Sequence, residues 1–130
     1  DWIIKRSQDD SDIIVTENID DARKAYSSAT VMITPIEGGG GTRIKILEAM
    51  AAGLPVISTS TGIAGLNVTD GKNVFIADDP LEMAKKAKRL LEDKGLALKM
   101  GKNAREHVRK NFDWKQVVAM HEPIYTVLTK

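Results

Sequence analysis

Four consecutive glycines at positions 38–41 constrain this chain more than any other feature. They follow a short β-favouring run at residues 31–34, and they precede a helix-favouring segment at residues 43–52 that Gly53 ends. Glycine loses more conformational freedom on folding than other residues, and it suits positions that need a positive φ or a close approach by another molecule. The order of strand, glycine loop and helix therefore predicts a loop that admits a ligand.

The start of this predicted helix suits an anion. Thr42 is a favourable N-cap residue, and the first N–H groups of a helix have no intrahelical partner. These groups and the positive end of the helix dipole point to one place, which favours a phosphate above all. Arg43 adds positive charge at the same end.

Lys45 and Glu48 share one edge of the predicted helix. At about 1.5 Å per residue, Glu48 lies roughly 9 Å along the axis from Thr42, which is the offset between the diphosphate and the ribose of a sugar nucleotide. A glutamate at this position can accept two hydrogen bonds from ribose hydroxyls. The alternative is a surface helix with a Lys45–Glu48 ion pair worth a few tenths of a kcal/mol, which leaves the glycines unexplained.

Composition excludes several classes of function. The 130 residues suffice for one domain with a real core, and a net charge of +1 with few aromatic residues argues against nucleic-acid binding. There are no cysteines, and the two histidines are far apart, so disulfides and thiolate or imidazole metal sites are not expected. Asp10-Ser11-Asp12 has a spacing seen in metal motifs, but a solvated turn is the preferred interpretation. No metal and no cofactor are predicted.

The chain has no signal peptide and no apolar run of transmembrane length. A cytoplasmic domain is the default expectation.

The pattern of apolar residues predicts the order β-α-β-α-β-β-α-α-α, which favours an α/β fold with a mainly parallel sheet and right-handed crossovers. The strands are expected at residues 13–16, 31–34, 55–59 and 73–77. Asp20 or Asp21 is expected to cap a short helix with Tyr26 on its core-facing side, and Asp79 begins another helix with Pro80 first. Gly95 is expected to separate that helix from the next, and a last helix is expected from Asp113.

The glycine loop matches neither of two common phosphate loops. A Walker A loop needs Gly-Lys-Ser/Thr, whereas Lys45 lies between two isoleucines. A dinucleotide fingerprint that starts at Gly38 needs a glycine where Arg43 stands, and the strand after it lacks the ribose-binding acid. The feature that neither loop type explains is an acidic residue, Glu48, placed after the glycine loop on the same helix.

The segment GGGGTRIKILEAMAAGLPVISTSTGIAGL resembles the donor-binding segment of glycosyltransferase family 4, and the likeness covers roughly residues 12–128. The resemblance implies the GT-B fold and transfer of a sugar from a nucleotide-diphosphate sugar with retention. It implies that Glu48, the second glutamate of the family motif, binds ribose, and that Arg43 with the backbone of Gly41 and Thr42 meets the diphosphate and donor sugar. The first glutamate of that motif falls on Gly40, and the nearest acid is Glu37. The candidate donor-binding residues are Glu48, Arg43, Lys45, Gly40, Gly41 and Thr42, with Glu37 as a candidate contact of the donor sugar.

By this resemblance, residues 1–130 are one Rossmann-like domain, the donor-binding half of a GT-B enzyme without its first strands. The acceptor, a glycan or lipid-linked sugar, and any membrane association then belong to a missing N-terminal domain. We expect a role in glycan or polysaccharide biosynthesis, with weak nucleotide binding and no turnover by this chain alone. The alternatives are a non-catalytic flavodoxin-like binding module and another GT-B enzyme, such as a sugar-nucleotide epimerase or a phosphorylase-like protein.

Overall fold

The protein, seen in a computed structural model that describes residues 2–16, 18–39, 43–113 and 115, has a parallel sheet with helices packed against it. The sheet order is β1-β2-β3, and the register pairs Thr34 with Ser58 and Ser58 with Ile76. The elements in chain order are α1 (Trp2–Asp9), α2 (Ala22–Ser28), β1 (Met32–Thr34), α3 (Ile44–Ala51), β2 (Val56–Ser58), β3 (Phe75–Ile76), α4 (Pro80–Glu92) and α5 (Lys94–Asn111). The predicted α/β class with a parallel, helix-flanked sheet is confirmed.

The central strand β2 is buried on both faces. Its successive side chains point to opposite sides of the sheet, so Val56 and Ile57 enter two different clusters. The first core cluster contains Ile46, Ala49, Met50, Leu54, Val56, Leu66, Val74 and Ala104. The second contains Ile57, Phe75, Ala77, Met83, Ala87, Leu90, Ala97 and Met100. Helix α5 contributes residues to both clusters and therefore connects the two parts of the core.

Helix α3 ends as the sequence predicts. Gly53 adopts a φ of 78°, and its N–H donates to the carbonyl of Met50 while the N–H of Leu54 donates to the carbonyl of Ala49, both at 3.0 Å. This is the pair of hydrogen bonds that closes a helix with a left-handed residue after its last turn. Chain reversal at Gly53 leads directly into β2.

Asp79 caps α4 as predicted, since its Oδ1 accepts the N–H groups of Leu81 and Glu82 at 3.0 Å. The prediction that Gly95 separates α4 from α5 is wrong. Asp93 is the boundary, because its Oδ1 accepts the Leu96 N–H at 2.9 Å and caps α5. Gly95 therefore lies in the first turn of α5.

The predicted strand at residues 13–16 is absent from the described part of the chain. The carbonyl of Asp10 accepts the N–H of Ile13 at 3.1 Å, and Asp10 Oδ1 accepts the N–H of Asp12 at 3.0 Å. A turn thus occupies the start of the segment, and Ile14 is 85% exposed, so burial of its side chain does not hold the segment in a sheet. Before this turn the chain forms α1, which has no buried residue.

The helix predicted from Asp113 lies mostly outside the described residues. Asp113 Oδ1 accepts the Lys115 N–H at 2.9 Å, a bond typical of a helix start. Across the described ranges, no helix combines the length and apolar character needed to cross a bilayer.

We predict that Gly101→Ala destabilises the fold. A Cβ built at Gly101 lies 2.0 Å from the carbonyl oxygen of Gly53, a backbone atom that cannot move without disturbing the end of α3. We expect the free energy of unfolding in urea to fall by about 1–3 kcal/mol. Gly95→Ala in the same helix is the matched control: its Cβ meets only Asp93 Oδ1 at 3.4 Å, so no loss of stability is expected. Equal effects of the two substitutions would contradict the close α3–α5 contact.

Candidate functional site

Side-chain hydroxyl groups bind together the ends of β1 and β2. Ser58 Oγ donates to the carbonyl of Thr34 at 3.1 Å, and the Thr59 hydroxyl donates to the carbonyl of Ile36. Thr59 Oγ1 also accepts the N–H of Gly62 at 3.0 Å. A Cβ at Gly62 would lie 2.2 Å from Ser58 Oγ, so the turn approaches the strand as closely as only glycine allows. The loops after these strands therefore leave the carboxyl edge of the sheet from fixed positions.

Asp78 connects the loop after β2 to the segment after β3. Its Oδ1 accepts both the backbone N–H and the hydroxyl of Ser60, each at 2.8 Å. These two bonds, the backbone bond first, hold the pKa of the Asp78 carboxyl below its usual value. All three strands thus have their carboxyl-end loops tied to a neighbour.

Arg43 lies where the glycine loop meets α3. It occupies the N-cap position, although Thr42 is predicted there, and makes no side-chain cap bond. Its Nη2 instead donates to the carbonyl of Gly39 at 2.8 Å and to that of Thr61 at 3.3 Å. Nε and Nη1 have no hydrogen-bond partner among the described residues. The guanidinium is therefore held between two loops, and two of its nitrogens have no partner in the part of the chain that the structure describes.

Gly40, Gly41 and Thr42, the predicted backbone contacts of the phosphate, lie outside the described residues.

Glu48 is exposed on α3 and faces α2. The Tyr26 hydroxyl donates to Glu48 Oε2 at 3.2 Å. Burial raises the pKa of Tyr26 above its ordinary value, and the bond to Glu48 adds to the rise, so the hydroxyl remains a donor at neutral pH. Both side chains line an open groove of about 600 Å³. The groove is lined by Asp20, Asp21, Ala22, Arg23, Tyr26, Glu48, Ala51 and Ala52.

Two predicted site residues take no part in the hydrogen bonds described above for Arg43 and Glu48. Lys45 is exposed and forms no ion pair with Glu48, and Glu37 is exposed on the loop after β1. Neither side chain has a hydrogen bond or ion pair with another described residue. The structure therefore places Arg43 with the glycine loop and Glu48 with Tyr26, and leaves Lys45 and Glu37 in solvent.

The segment before α2 forms one end of the groove. Asn18 has a φ of 55°, a left-handed conformation that asparagine tolerates better than most residues. Asp21 caps α2 by accepting the Arg23 N–H at 3.0 Å, and it also accepts the Arg23 Nε at 3.0 Å. The side-chain bond is the main cause of the lowered pKa of Asp21. Asp20 lines the groove beside it.

Sequence reasoning missed the roles of Tyr26 and Thr61. Tyr26 was expected to face the core, and its half-buried ring does pack against the first core cluster. A tyrosine on a core-facing position usually finds a partner for its hydroxyl, so the sequence indicates a polar neighbour but does not identify Glu48. Thr61 contributes a backbone carbonyl, for which the sequence carries no signal.

The sheet, the loops at its carboxyl edge and the helices around it define the C-terminal Rossmann-like domain of a GT-B protein. The sucrose-phosphate synthase of Thermosynechococcus elongatus has the same arrangement, with a TM-score of 0.70 and 29% identity over 81% of this chain and 27% of that one. Residues 2–93 match the family described as glycosyl transferases group 1, and the chain belongs to this family.

Curated relatives agree with this assignment. The chain is 31% identical to the trehalose synthase of Thermococcus litoralis over 113 residues, which is 84% of this chain and 27% of that protein. It is 32% identical to the N-acetyl-alpha-D-glucosaminyl L-malate synthase of Bacillus anthracis over 103 residues, 78% of this chain and 26% of that protein. The chain thus spans about a quarter of the length of the relatives it matches.

We predict that Asp78→Asn destabilises the protein at neutral pH and less so in acid. The pKa of Asp78 is lowered in the folded state, so the carboxylate contributes stability above its ordinary pKa of 3.8 and loses it as pH falls through the lower folded pKa. The difference in unfolding free energy between wild type and variant should shrink as pH falls below about 4. Urea denaturation from neutral to acid pH measures this difference. Glu37→Gln, which removes a carboxylate that has no partner within the described ranges, is the control. A difference that does not change with pH would contradict the assignment.

Proposed function

We propose that this chain is the nucleotide-sugar donor-binding part of a retaining glycosyltransferase in glycan or polysaccharide biosynthesis. The observation that carries the proposal is the placement of two opposite charges on one short helix at the carboxyl edge of the sheet. Arg43 begins α3 beside the glycine loop, and Glu48 lies exposed in a groove farther along the same helix. Ligands of open α/β sheets bind at this edge. The membership in glycosyl transferases group 1 supports the same conclusion.

The diphosphate is proposed to bind at the start of α3. The free N–H groups there and the helix dipole favour an anion, and Arg43 adds a full positive charge. Because Nη2 is already held by the carbonyls of Gly39 and Thr61, the guanidinium loses little freedom when a ligand binds. Nε and Nη1 can then donate charge-assisted hydrogen bonds to phosphate oxygens.

The ribose is proposed to bind Glu48. An ionised carboxylate only accepts hydrogen bonds, and the two ribose hydroxyls can both donate to it. Glu48 is five positions after Arg43, so the two residues differ by about 7.5 Å along the helix axis, a distance that suits adjacent diphosphate and ribose groups.

The chemistry proposed for this site is electrostatic. Sugar transfer leaves negative charge on the departing nucleoside diphosphate, and Arg43 with the helix dipole stabilises charge that develops there. Glu37 precedes by three residues the position where the family motif has its first glutamate, so its contact with the donor sugar requires the glycine loop to fold back. The acceptor is proposed to bind a second domain, and the proposal assigns no metal or covalent nucleophile to this chain.

We predict that Glu48→Gln weakens binding of a nucleoside diphosphate. Loss of the charged acceptor should reduce affinity by about 1–3 kcal/mol, because each hydrogen bond to a charged group contributes about that much. Isothermal titration with UDP, GDP and ADP measures the change and also identifies the preferred base. Glu106→Gln on α5, an exposed glutamate outside the groove, is the matched control and should bind as wild type does.

Arg43→Met, run in the same titrations, identifies the diphosphate end of the site. It should weaken binding of the nucleoside diphosphate and leave that of the matching nucleoside unchanged, whereas Lys99→Met, an exposed cation on α5, should change neither. Wild-type affinity in both Glu48→Gln and Arg43→Met would contradict the proposed site.

We also predict that this chain alone transfers no sugar. The acceptor site is proposed to lie on a domain that these residues do not supply, so bound donor would have no partner for reaction. The assay is transfer of labelled glucose or mannose from UDP-, GDP- and ADP-linked donors to disaccharide and lipid-linked acceptors. A measurable rate that disappears in Glu48→Gln would show that the chain holds a complete active site.

A further inference from the structure

We propose that Tyr26 is a positioning residue of the ribose site, whose hydroxyl holds the Glu48 carboxylate in the orientation that receives the ribose diol. This inference rests on the donor-binding function proposed above. It adds a residue on a different helix, 22 positions earlier in the chain.

The contact with Tyr26 is the only hydrogen bond to the Glu48 side chain among the described residues. Glu48 is exposed, so without this bond its carboxylate would be free to rotate. Ordering a flexible glutamate when a ligand binds opposes binding. A bond that orders the carboxylate before the ligand arrives removes part of that penalty.

Tyr26 is suited to this task because its own position is fixed. Its half-buried ring packs against the first core cluster, so the hydroxyl projects from a support that belongs to the fold. A tyrosine side chain also has few rotatable bonds, and thus the oxygen is placed with little freedom.

The bond to Tyr26 leaves the carboxylate able to bind the diol. A carboxylate has about four acceptor sites on its two oxygens, and the Tyr26 hydroxyl occupies one of them on Oε2. Oε1 has no partner among the described residues, and Glu48 lines the open groove of about 600 Å³. The hydroxyl is neutral, so Glu48 also keeps the charge that strengthens its bonds to the ribose.

The competing explanation is a purely structural one, in which the bond only fastens α2 to α3. The two explanations predict different effects of Tyr26 on the affinity for a nucleotide that lacks the ribose hydroxyls. If Tyr26 acts through Glu48 on the diol, its hydroxyl matters only to ligands that have the diol. If it only fastens two helices, its loss affects every nucleotide equally or none.

The test compares UDP, GDP and ADP with their 2′,3′-dideoxy counterparts by isothermal titration of the full chain. Tyr26→Phe keeps the ring and removes the hydroxyl. We expect it to weaken the ribonucleotide about threefold to tenfold, the effect of one lost hydrogen bond, and to leave the dideoxynucleotide unchanged. In a Glu48→Gln background, Tyr26→Phe should have a much smaller effect on the ribonucleotide, because the group it positions has lost its charge.

Ser27→Ala is the matched control, since it removes a hydroxyl from the next residue of α2 whose bond stays within that helix. Its affinity for both nucleotides should equal that of wild type. Urea denaturation of each variant shows that the comparison is made between folded proteins.

The outcomes separate this inference from the proposed function. If wild type prefers the ribonucleotide through Glu48 but Tyr26→Phe keeps the full preference, the inference is wrong and the donor site stands. Equal weakening of both nucleotides by Tyr26→Phe likewise overturns it in favour of the structural role. If wild type binds no nucleotide, or binds both forms equally, the proposed ribose site fails and the inference fails with it.

Discussion

The hydrogen bonds between the carboxyl ends of β1 and β2 fix the start of the two loops that hold Arg43. The short parallel ladder leaves carbonyls unpaired at its end, and a buried carbonyl needs a partner. Ser58 and Thr59 supply these partners from their side chains, by bonds to the carbonyls of Thr34 and Ile36. The loops after the two strands therefore start side by side. Arg43 can reach carbonyls in both loops because this spacing is fixed.

Helix α3 depends on tertiary packing at its other end. It has 8 residues, too few for a stable isolated helix, so its position comes from burial of one face and from the turn at Gly53. Gly101 lets the backbone of α5 approach that turn more closely than any side chain would allow. With one face in the core and the C-terminal end against α5, α3 presents Glu48 to Tyr26 of α2.

Local signals predicted most of the fold. The strand at residues 31–34, the turn at Gly53 and the cap at Asp79 follow from propensity and from side-chain hydrogen bonds to nearby backbone, which the sequence displays directly. The same signals predicted a cap at Asp20 or Asp21, and the structure has it at Asp21. The prediction of a strand at residues 13–16 failed because a strand needs a neighbouring strand to pair with, and a turn at the start of this segment competes with pairing.

The same limit applies to the site. Helix α3 was located correctly, but the Thr61 carbonyl bound by Arg43 and the Tyr26 hydroxyl bound by Glu48 come from residues 18 and 22 positions away, which no local pattern specifies.

A scaffold and a donor site also place different demands on Glu48. A surface helix would neutralise it with Lys45, whereas the structure gives it a neutral hydroxyl and leaves its charge in a groove that also contains Asp20. Accumulated negative charge only weakens a scaffold. In the proposed donor site, the ribose hydroxyls donate to this carboxylate, and the phosphates bind near Arg43 and the start of the helix. The proposed function therefore gives a use to the opposite charges at the two ends of α3, whereas a scaffold role gives them none.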